Sequence, residues 1–318
     1  MKPAILGIDT SNYTTSLAMV SVQGEILLDS RRLLPVKEGD VGLRQTDALF
    51  LHVRQWPEIL LQSELHRWKI IAVAVATRPC PEPSSYMPVF LAGRAFAATV
   101  AGVLQVPLME FSHQEGHLRA ALEQSAMLQG PFVAVQISGG TTDVVHATPK
   151  TEGGFDIVVL ARSCDWHAGQ FIDRVGVHMG IAFPCGAAMD KLAADYALAG
   201  GEPLPIPSSV QEGSISFSGP ASHAMRALDR GADQGAVALG VFRCISNSLE
   251  KVLRVRGESA EKVILCGGVA ANTHIRERLM ARLRRYEFLL APRHLAGDNA
   301  VGIARLGLDS VRRKGNLC

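Results

Sequence analysis

The N-terminal stretch Ala4-Ile-Leu-Gly-Ile-Asp-Thr-Ser-Asn-Tyr-Thr-Thr-Ser-Leu-Ala-Met-Val-Ser-Val22 places an apolar run on each side of a small polar segment. A turn at Gln23-Gly24 and a third apolar run, Glu25-Ile-Leu-Leu28, follow directly. Apolar runs bounded by Gly, Ser and Thr clusters are typical of successive strands in a hairpin or meander. The stretch therefore predicts a strand at residues 4–8, a polar turn at 9–15 and two further strands.

The same order of features recurs in the second half of the chain. An apolar run at residues 132–137 leads into Ser138-Gly-Gly-Thr-Thr142, a second run starts at Asp143, and a Gly153-Gly154 turn introduces a third. Ala- and Leu-rich helical patterns follow each meander, at residues 46–65, 88–104, 169–180 and 187–199. The repeat predicts an α/β protein of two sheet-plus-helix lobes that face each other, so that both polar turns line one cleft.

The composition is that of a globular protein. Of the 318 residues, 47% are hydrophobic and 19% charged, which excludes a disordered or collagen-like chain, and the length favours two domains. The 32 basic and 30 acidic residues nearly balance, so no overall electrostatic attraction to nucleic acid or membrane is expected. We expect an N-terminal lobe at 1–110, completed by a C-terminal helix at 299–318, and a C-terminal lobe at 111–298.

The cysteines indicate a reducing compartment. All six are scattered without a C-x-x-C pair, which excludes a disulfide scaffold and a thiolate zinc ribbon. The N-terminus lacks an apolar region that ends in a small-residue cleavage site, so we expect no export and a cytoplasmic protein. The apolar segment 88–111 is interrupted by Arg94 and Gln105 and closed by Pro107, which favours a buried helix over a membrane span.

Three turns in the sequence suit a nucleotide. Segments rich in Gly, Ser and Thr present backbone N–H groups and hydroxyls without bulky side chains, which suits a phosphate chain or a metal bound to it. Two such turns occur at equivalent places of the repeat, and a strand at 262–266 is followed by Gly267-Gly-Val-Ala-Ala-Asn272, which opens a helix. The pattern favours a nucleotide cleft, and the alternative is a set of ordinary strand-to-helix turns.

Two histidines four residues apart form the candidate metal site. In Phe111-Ser-His-Gln-Glu-Gly-His117 both rings lie on one face of a predicted helix, with Ser112 as its N-cap. Glu115 points to the opposite side, unlike the glutamate of the zinc-protease pattern H-E-x-x-H, so a protease would lack its general base. Asp298 in the turn Leu295-Ala-Gly-Asp-Asn-Ala300 is the candidate third ligand. Such a site suits iron, zinc or manganese, and the alternative for the pair is a surface helix.

These motifs resemble those of the TsaD and Kae-type threonylcarbamoyl transferases, which have the actin, sugar-kinase and heat-shock-ATPase (ASKHA) fold and were formerly classed as O-sialoglycoprotein endopeptidases. The resemblance covers nearly the whole chain in order, and the chain is identified as a divergent bacterial-type paralogue. The family's metal ligands match His113, His117 and Asp298. Its other motifs match, in chain order, Ser138-Gly-Gly-Thr-Thr142, Gly169-Gln-Phe-Ile-Asp-Arg174, Pro184-Cys-Gly186 with Asp190, Ile215-Ser-Phe-Ser-Gly219 and Gly267-Gly-Val-Ala-Ala-Asn272.

The resemblance implies transfer of a threonylcarbamoyl group from its adenylate to the N6 amine of adenosine next to the anticodon of certain tRNAs. The implied cofactors are ATP or threonylcarbamoyl-AMP and a divalent metal that holds the carbamoyl or phosphate end. The implied partners are tRNA and proteins of the tRNA-modification complex. The implied catalytic turn, which would supply N–H donors to developing charge, consists of Ser138, Gly139, Gly140, Thr141 and Thr142. The implied adenosine site consists of Asp173, Gly186, Asp190, Gly267, Gly268 and Asn272.

Several positions depart from the family pattern. Beside Asn12, the family's two acidic residues are replaced by Tyr13 and Thr14, which removes an acid-base or metal-orienting role from the first turn. A proline-stiffened loop at 78–88 replaces a glycine-rich one. We expect these changes to affect the acceptor side of the cleft and to spare the metal and the nucleotide. The remaining replacements are histidine by Thr141, glutamate by Gln170 and lysine by Ala221.

The acceptor of the transferred group is left open between tRNA adenosine and another amine or hydroxyl. Two other functions also remain open: a non-catalytic nucleotide-binding regulator of the tRNA-modification machinery, and an ATP hydrolase or phosphotransferase on the same fold. Retention of all three metal ligands favours an enzyme, whereas the lost acids count against the tRNA reaction unchanged. Cys185, which lies inside the predicted nucleotide turn, is the one thiol singled out for a test of functional reactivity. A candidate contact with tRNA phosphates, with a solvated helix face as the alternative, is formed by Arg276, Arg278, Arg282, Arg284, Arg285, Arg293, Arg305, Arg312, Arg313 and Lys314.

Overall fold

A computed structural model describes residues 1–11, 13–35, 43–82, 84–122, 130–257 and 260–313 of the chain. The chain divides into two compact units. The first comprises Met1–Gln129, Pro149–Asp156 and His294–Cys318, and the second comprises Gly130–Thr148 and Ile157–Arg293. Each unit has its own β-sheet and helices, so the predicted α/β class is confirmed. Within the described ranges, no helix is long and apolar enough to cross a membrane.

The helices and strands follow the sequence pattern closely. The strands are β1 (Lys2–Ser11), β2 (Thr14–Ser21), β3 (Ile26–Leu33), β4 (Trp68–Arg78), β5 (Leu108–Ser112), β6 (Phe132–Ile137), β7 (Thr142–Pro149), β8 (Phe155–Ser163), β9 (Ser209–Gln211), β10 (Ser214–Ser216), β11 (Lys262–Cys266) and β12 (Glu287–Leu290). The helices are α1 (Gln45–Ser63), α2 (Phe90–Leu104), α3 (His113–Ala121), α4 (Ala168–His178), α5 (Gly186–Leu198), α6 (Ser218–Asp229), α7 (Gln234–Arg256), α8 (Thr273–Arg282) and α9 (Val301–Arg313). The four predicted long helices are confirmed as α1, α2, α4 and α5.

The sheet of the first unit has the strand order β3-β2-β1-β4-β5. β1, β2 and β3 pair antiparallel as a meander, whereas β4 joins β1 in parallel and β5 joins β4 in parallel. Because β1, β4 and β5 run in the same direction, their carboxyl ends lie at one edge of the sheet. The core of this unit is apolar side chains of β1, β2 and β4 packed against α1 and α2. Polar side chains at the carboxyl ends of these three strands therefore lie close together at this edge.

Glycines allow α9 to approach this edge closely. α9 packs against β1, β4 and α3. A Cβ atom on Gly7 of β1 would lie 2.5 Å from the carbonyl oxygen of Ala300, and one on Gly302 would lie 1.9 Å from the carbonyl oxygen of Gly116 in α3. Cβ atoms do not approach backbone oxygens so closely, so each contact requires glycine. The chain just before α9 is thereby held beside β1 and α3.

The second sheet repeats the plan of the first. Its strand order is β12-β11-β6-β7-β8-β10-β9. β6 pairs antiparallel with β7, β11 is parallel to β6, and β12 is parallel to β11. The order β8-β7-β6-β11-β12 therefore corresponds to β3-β2-β1-β4-β5, which confirms the repeat seen in the sequence. The core of this unit lies between its sheet and α4 to α8, with the rings of Phe171 and Phe217 stacked 5.4 Å apart.

Two predicted boundaries differ from the structure. Asp9, Thr10 and Ser11 were expected in a turn but continue β1, because they pair with Ser16, Thr15 and Thr14 of β2 and are almost completely buried. Asn12 lies outside the described residues, as do residues 314–318 of the predicted C-terminal helix. The lobes at 1–110 and 111–298 stay a prediction; the compact units assign residues 111–122 to the first sheet's unit.

Candidate metal and nucleotide sites

The histidine pair lies on a well-capped helix. Ser112 ends β5 and caps α3: its hydroxyl accepts a hydrogen bond from the Glu115 amide at 3.2 Å, and Glu115 Oε2 accepts one from the Ser112 amide at 2.8 Å. Glu115 Oε1 accepts a third from the Phe155 amide at 3.1 Å. Both carboxylate oxygens therefore serve the fold. The predicted N-cap is confirmed, and Glu115 has no role as a protease base.

The structure brings the three predicted metal ligands together. His113 Nε2 and His117 Nε2 lie 3.0 Å apart, and Asp298 Oδ1 lies 3.5 Å from the first and 3.3 Å from the second. All three side chains are half-buried. Ligand atoms at about 2.1 Å from one ion are roughly 3.0–3.5 Å apart when the bond angles are about 90–110°. The donor set therefore fits a divalent metal ion.

Two residues at the end of β1 hold these ligands and were missed in the sequence. Asp9 is 1% exposed, and its Oδ2 lies 2.7 Å from His113 Nδ1. Ser11 Oγ donates to Asp298 Oδ2 at 2.8 Å. A carboxylate on one imidazole nitrogen fixes the tautomer and directs the other nitrogen to a metal. Tyr13 and Thr14 cannot orient a metal ligand through a carboxylate. Asp9, near the end of β1, is placed to do so instead.

Burial and charge act in opposite directions on the candidate ligands. Burial by itself would lower the pKa of His113, but Asp9 and Asp298 together raise that pKa well above its usual value. Burial would raise the pKa of Asp298, but hydrogen bonds with His113 and His117 hold it well below its usual value. The site thus keeps the carboxylate ionised and favours a positive charge among the imidazoles, supplied by a proton or by a metal ion.

A buried histidine supports the end of β1. His52 of α1 is completely buried, and its Nε2 donates to the Ser11 carbonyl at 2.9 Å. Its Nδ1 lies 2.8 Å from the Thr15 hydroxyl. Burial lowers the pKa of His52 to about 4, although the Ser11 carbonyl and Asp9 act to raise it. His52 is therefore neutral and fixes the backbone of Ser11, the residue whose hydroxyl donates to Asp298.

The predicted catalytic turn joins β6 to β7 in the second unit. Gly139 and Gly140 are exposed, and a Cβ atom added to either would meet no described group within 4 Å. Ser138 is half-buried, and its hydroxyl accepts a hydrogen bond from the Gly140 amide at 3.2 Å. The glycine backbone is therefore open to a ligand, as an anion-binding turn requires.

The two threonines of the turn differ in environment. Thr142 is completely buried, and its hydroxyl accepts a hydrogen bond from the Ala168 amide at 2.8 Å. This bond fixes the first residue of α4, so the side chain of Thr142 serves the fold. Thr141, which occupies the position of the family's histidine, is half-buried. Thr141 is thus the more accessible of the two predicted catalytic threonines.

Two predicted adenosine residues hold the loop that precedes α5. Asp173 Oδ1 accepts a hydrogen bond from the Cys185 amide at 2.8 Å, and Gly186 is the first residue of α5. Cys185 itself is buried, and both burial and the neighbouring Asp173 raise the pKa of its thiol. Both findings count against functional reactivity of Cys185, because a buried thiol with a raised pKa is a poor nucleophile.

The other predicted adenosine residues lie around the start of α8. Asn272 Nδ2 donates to Asp190 Oδ1 at 2.7 Å, and Asn272 Oδ1 caps α8 by accepting from the Ile275 amide at 2.9 Å. Gly267 has φ +92°, and a Cβ atom on it would lie 2.3 Å from the Ile137 carbonyl oxygen, so glycine is required there. A Cβ atom on Gly268 would meet no described group within 4 Å.

An acidic residue that the sequence analysis did not single out organises the Ile215–Gly219 motif. Asp165 accepts hydrogen bonds from the Ser218 hydroxyl at 2.6 Å, from the Phe217 amide at 2.8 Å and from the Ser216 hydroxyl. Burial acts to raise the pKa of Asp165, but these bonds hold it well below its usual value. No local pattern in the sequence marks Asp165 for this role, because its partners lie far along the chain.

The predicted basic residues do not form one group. Those between Arg276 and Arg285 belong to the second unit, whereas Arg305, Arg312 and Arg313 belong to α9 of the first. Arg305 is only 3% exposed and cannot present its charge to RNA. Lys314 lies outside the described residues, as does the side chain of Arg293.

Comparison with known proteins identifies relatives along almost the whole chain. The family model described as TsaD, tRNA N6-adenosine threonylcarbamoyltransferase, matches residues 56–305. A tRNA N6-adenosine threonylcarbamoyltransferase of Fervidobacterium nodosum is 27% identical over 97% of this chain and 93% of its own length. Enzymes of the same name from Thermus thermophilus and Streptococcus suis are each 30% identical, over 94% and 98% of this chain and 90% and 94% of their own lengths.

Solved structures with low sequence identity share the fold. The Acidaminococcus fermentans (R)-2-hydroxyglutaryl-CoA dehydratase component A gives a TM-score of 0.58 at 15% identity over 95% of this chain and 96% of that chain. T. kodakarensis HypF gives 0.58 at 14% identity over 99% of this chain and 48% of that chain. A Streptomyces griseus ROK-family glucokinase gives 0.52 at 13% identity over 95% and 98%. These neighbours confirm the predicted ASKHA-type fold.

The fold and the donor set together define an ASKHA-type protein whose first unit carries a His-His-Asp constellation. Within that class, the chain belongs to the family of tRNA N6-adenosine threonylcarbamoyltransferases, as its family match and its relatives show. It is therefore an enzyme of the transferase class, from a family that acts on tRNA.

Proposed function

We propose that this chain transfers a threonylcarbamoyl group from threonylcarbamoyl-AMP to the N6 amine of an adenosine in tRNA, with a divalent metal bound by His113, His117 and Asp298. The observation that carries the proposal is the convergence of two imidazole nitrogens and one carboxylate oxygen at separations of 3.0, 3.3 and 3.5 Å. Family membership supports the substrate class. An acceptor tRNA places the proposed reaction in the cytoplasm, together with other proteins of tRNA modification.

The proposed reaction forms one bond and breaks another. The N6 nitrogen of adenosine attacks the carbamoyl carbon, the bond from that carbon to the phosphate oxygen breaks, AMP leaves, and the nitrogen releases a proton. A divalent ion would polarise the carbamoyl carbonyl and neutralise the phosphate leaving group. Asp9 and Ser11 keep His113 and Asp298 oriented toward one point. Iron, zinc and manganese all match this mixed donor set.

We assign the AMP part of the donor to the second unit. The backbone of Gly139 and Gly140 is exposed, which suits the charge on the phosphate and on the developing oxyanion; the Gly140 amide would exchange its hydrogen bond to the Ser138 hydroxyl for one to the ligand. Carboxylates accept hydrogen bonds from ribose hydroxyls, and the second unit offers such groups near the starts of α5 and α8. The residues assigned to the donor are Ser138, Gly139, Gly140, Thr141, Thr142, Asp173, Gly186, Asp190, Gly267, Gly268 and Asn272.

A second candidate function is a nucleotide-binding regulator, or an ATP hydrolase, that serves the same machinery. One observation favours it: at the β1–β2 turn, Tyr13 is 38% exposed and Thr14 is buried, so neither supplies the carboxylate that the family has there. Asp9 weighs against a regulator without a metal, because a buried carboxylate that orients a metal ligand has no purpose in a protein without a metal site.

The test compares two aspartates of the first unit. Wild-type protein, Asp298→Ala and Asp47→Ala are incubated with threonylcarbamoyl-AMP and a tRNA transcript, and modified adenosine, released AMP and bound metal are measured. Asp47 is exposed in the first turn of α1 and serves as the matched control. We expect product and bound metal in wild type and Asp47→Ala, and loss of both in Asp298→Ala.

Each other outcome changes the proposal in a defined way. Equal product from Asp298→Ala would overturn the metal role. AMP release without modified adenosine would assign a different acceptor. Neither modified adenosine nor released AMP from the wild type would overturn the transferase and favour the regulator.

A further inference from the structure

A group of arginines on α7 and α8 carries more positive charge than its carboxylate balances. Glu250 is 8% exposed and is shared by two guanidinium groups, those of Arg254 at 2.8 Å and Arg282 at 2.5 Å. Arg243 is exposed and forms no ion pair within the described parts of the chain. With Arg278 on α8, Arg243, Arg254 and Arg282 form an α7–α8 arginine cluster, which contains four cations and the carboxylate of Glu250.

Arg278 is held in place by a neutral group. Its Nε and Nη2 both donate to Asn247 Oδ1, at 3.1 and 2.7 Å. Burial lowers the pKa of Arg278, and the nearby charges of Arg243 and Arg282 lower it further, while the charge of Glu250 acts in the opposite direction without restoring the usual value. The guanidinium is therefore oriented but not neutralised, and the crowding of like charges shows that a negative partner would stabilise the cluster.

The cluster adjoins a cavity. A cavity of about 400 Å³ lies between the proline-rich segment 203–207 and α7, and Gly240, Arg243 and Asn247 complete its wall. Its floor is mainly proline, leucine and isoleucine, while Arg243 and Asn247 supply polar groups. The apolar wall suits a flat, weakly polar group, and guanidinium groups that exceed the nearby carboxylates suit a phosphate. A nucleotide unit of RNA combines both.

We propose that the α7–α8 arginine cluster, with the cavity beside it, contacts the phosphate backbone of the RNA acceptor. This inference rests on the proposed function for the identity of that RNA. Guanidinium groups bind phosphate oxygens through two parallel hydrogen bonds, and a polyanion offers a phosphate to each of several such groups. The cluster is limited to residues of α7 and α8; Arg284 and Arg285 follow α8 and donate to the main-chain carbonyls of Ala281 and Leu253.

The test measures the salt dependence of tRNA binding. Fluorescence anisotropy gives Kd between about 50 and 200 mM salt for the full-length wild type, Arg243→Gln/Arg278→Gln, and Arg243→Lys/Arg278→Lys. Each phosphate contact adds about 0.9 to the slope of log K against log salt. Loss of two contacts should therefore lower the slope by about 1.8, so the affinity gap from wild type shrinks about 12-fold over that range. The lysine variant should keep most of the wild-type slope.

The matched control removes the same charge elsewhere. Arg31→Gln/Arg67→Gln changes two surface arginines of the first unit that are paired with Asp29 and Glu64. We expect its slope and Kd to equal those of the wild type. Thermal unfolding of all variants verifies that the second unit stays folded. If the double glutamine variant does not fold, Arg243→Gln alone, at an exposed position, carries the test, with an expected fall in slope of about 0.9.

Two readouts separate this inference from the proposed function. If wild type modifies tRNA but Arg243→Gln/Arg278→Gln keeps the wild-type slope and Kd, the cluster does not bind RNA and the inference is overturned. If the slope falls as expected but no tRNA is modified, the surface stands and the proposed reaction fails. If heparin binds as tightly as tRNA with the same response to the variants, the cluster is a general polyanion surface, which also overturns the RNA assignment.

Discussion

Replacing Asp9 by asparagine should weaken metal binding while leaving the first unit folded. Asp9 Oδ2 lies 2.7 Å from His113 Nδ1, and its Oδ1 is buried without a hydrogen-bond partner in the described residues. Asparagine has the same shape, and its oxygen still accepts from Nδ1–H, but it carries no charge. The substitution therefore isolates the electrostatic contribution of the carboxylate to the orientation and basicity of His113.

The expected loss can be estimated from the environment of this contact. Removing the outer partner of a metal-bound histidine typically costs about 10–100-fold in metal affinity, or roughly 1.4–2.7 kcal/mol. Asp9 is 1% exposed, so water and salt screen its charge weakly. We therefore expect a loss in the upper half of that range, about 30–100-fold.

The assay is calorimetric titration of chelator-treated protein with Zn²⁺. It compares wild type, Asp9→Asn, Asp298→Asn and the exposed control Asp47→Asn, with thermal unfolding as the check on folding. The expected order of affinity is wild type equal to Asp47→Asn, then Asp9→Asn, then Asp298→Asn. An Asp9→Asn affinity equal to that of the control would refute the orienting role. A loss as large as that of Asp298→Asn would make Asp9 a ligand itself.

Two further predictions concern the frame of the site. Gly302→Ala should destabilise the protein by about 1–3 kcal/mol, because its methyl group would lie 1.9 Å from the Gly116 carbonyl oxygen. The control is Gly102→Ala, whose methyl group meets nothing within 4 Å. Equal urea midpoints for the two variants would contradict the prediction. Because the pKa of His52 is lowered from 6.5 to about 4, only the unfolded chain takes up this proton between those pH values. The unfolding free energy should therefore fall by up to about 3 kcal/mol as the pH drops from 6.5 to 4; His52→Gln should flatten that slope, and an unchanged slope would count against the assignment.

Much of the fold could be predicted from local patterns. The apolar runs around Gly24 and around the Gly153-Gly154 turn have the period and the boundaries of meander strands, and these strands are present. The spacing of His113 and His117 places both rings on one helix face whatever surrounds the helix. Such features depend on residues close in sequence, so no knowledge of tertiary packing was needed.

The contacts that complete the site depend on strand order, which local patterns do not contain. Asp9 meets His113 because β1, β4 and β5 run parallel and end at the same edge, although 104 residues separate the two side chains. The burial of Thr142 and Cys185 was likewise missed, because both appear in motifs rich in small residues that resemble open turns. In each case the deciding partner lies on another element.

Asp9 also bears on whether the chain retains chemistry. Burying a carboxylate costs free energy unless hydrogen bonds compensate, and Asp9 is 1% exposed with one oxygen unsatisfied among the described residues. Packing alone gives no reason for a charge at this position, since its chain neighbour Ile8 is apolar and fully buried, and Ser16, which pairs with it on β2, is buried and uncharged. A buried charge that destabilises the fold and gains no compensating contact is characteristic of a functional site. The free-energy cost of burying the Asp9 carboxylate is therefore better explained by a positive charge on or between the imidazoles than by a protein that has lost its catalytic activity.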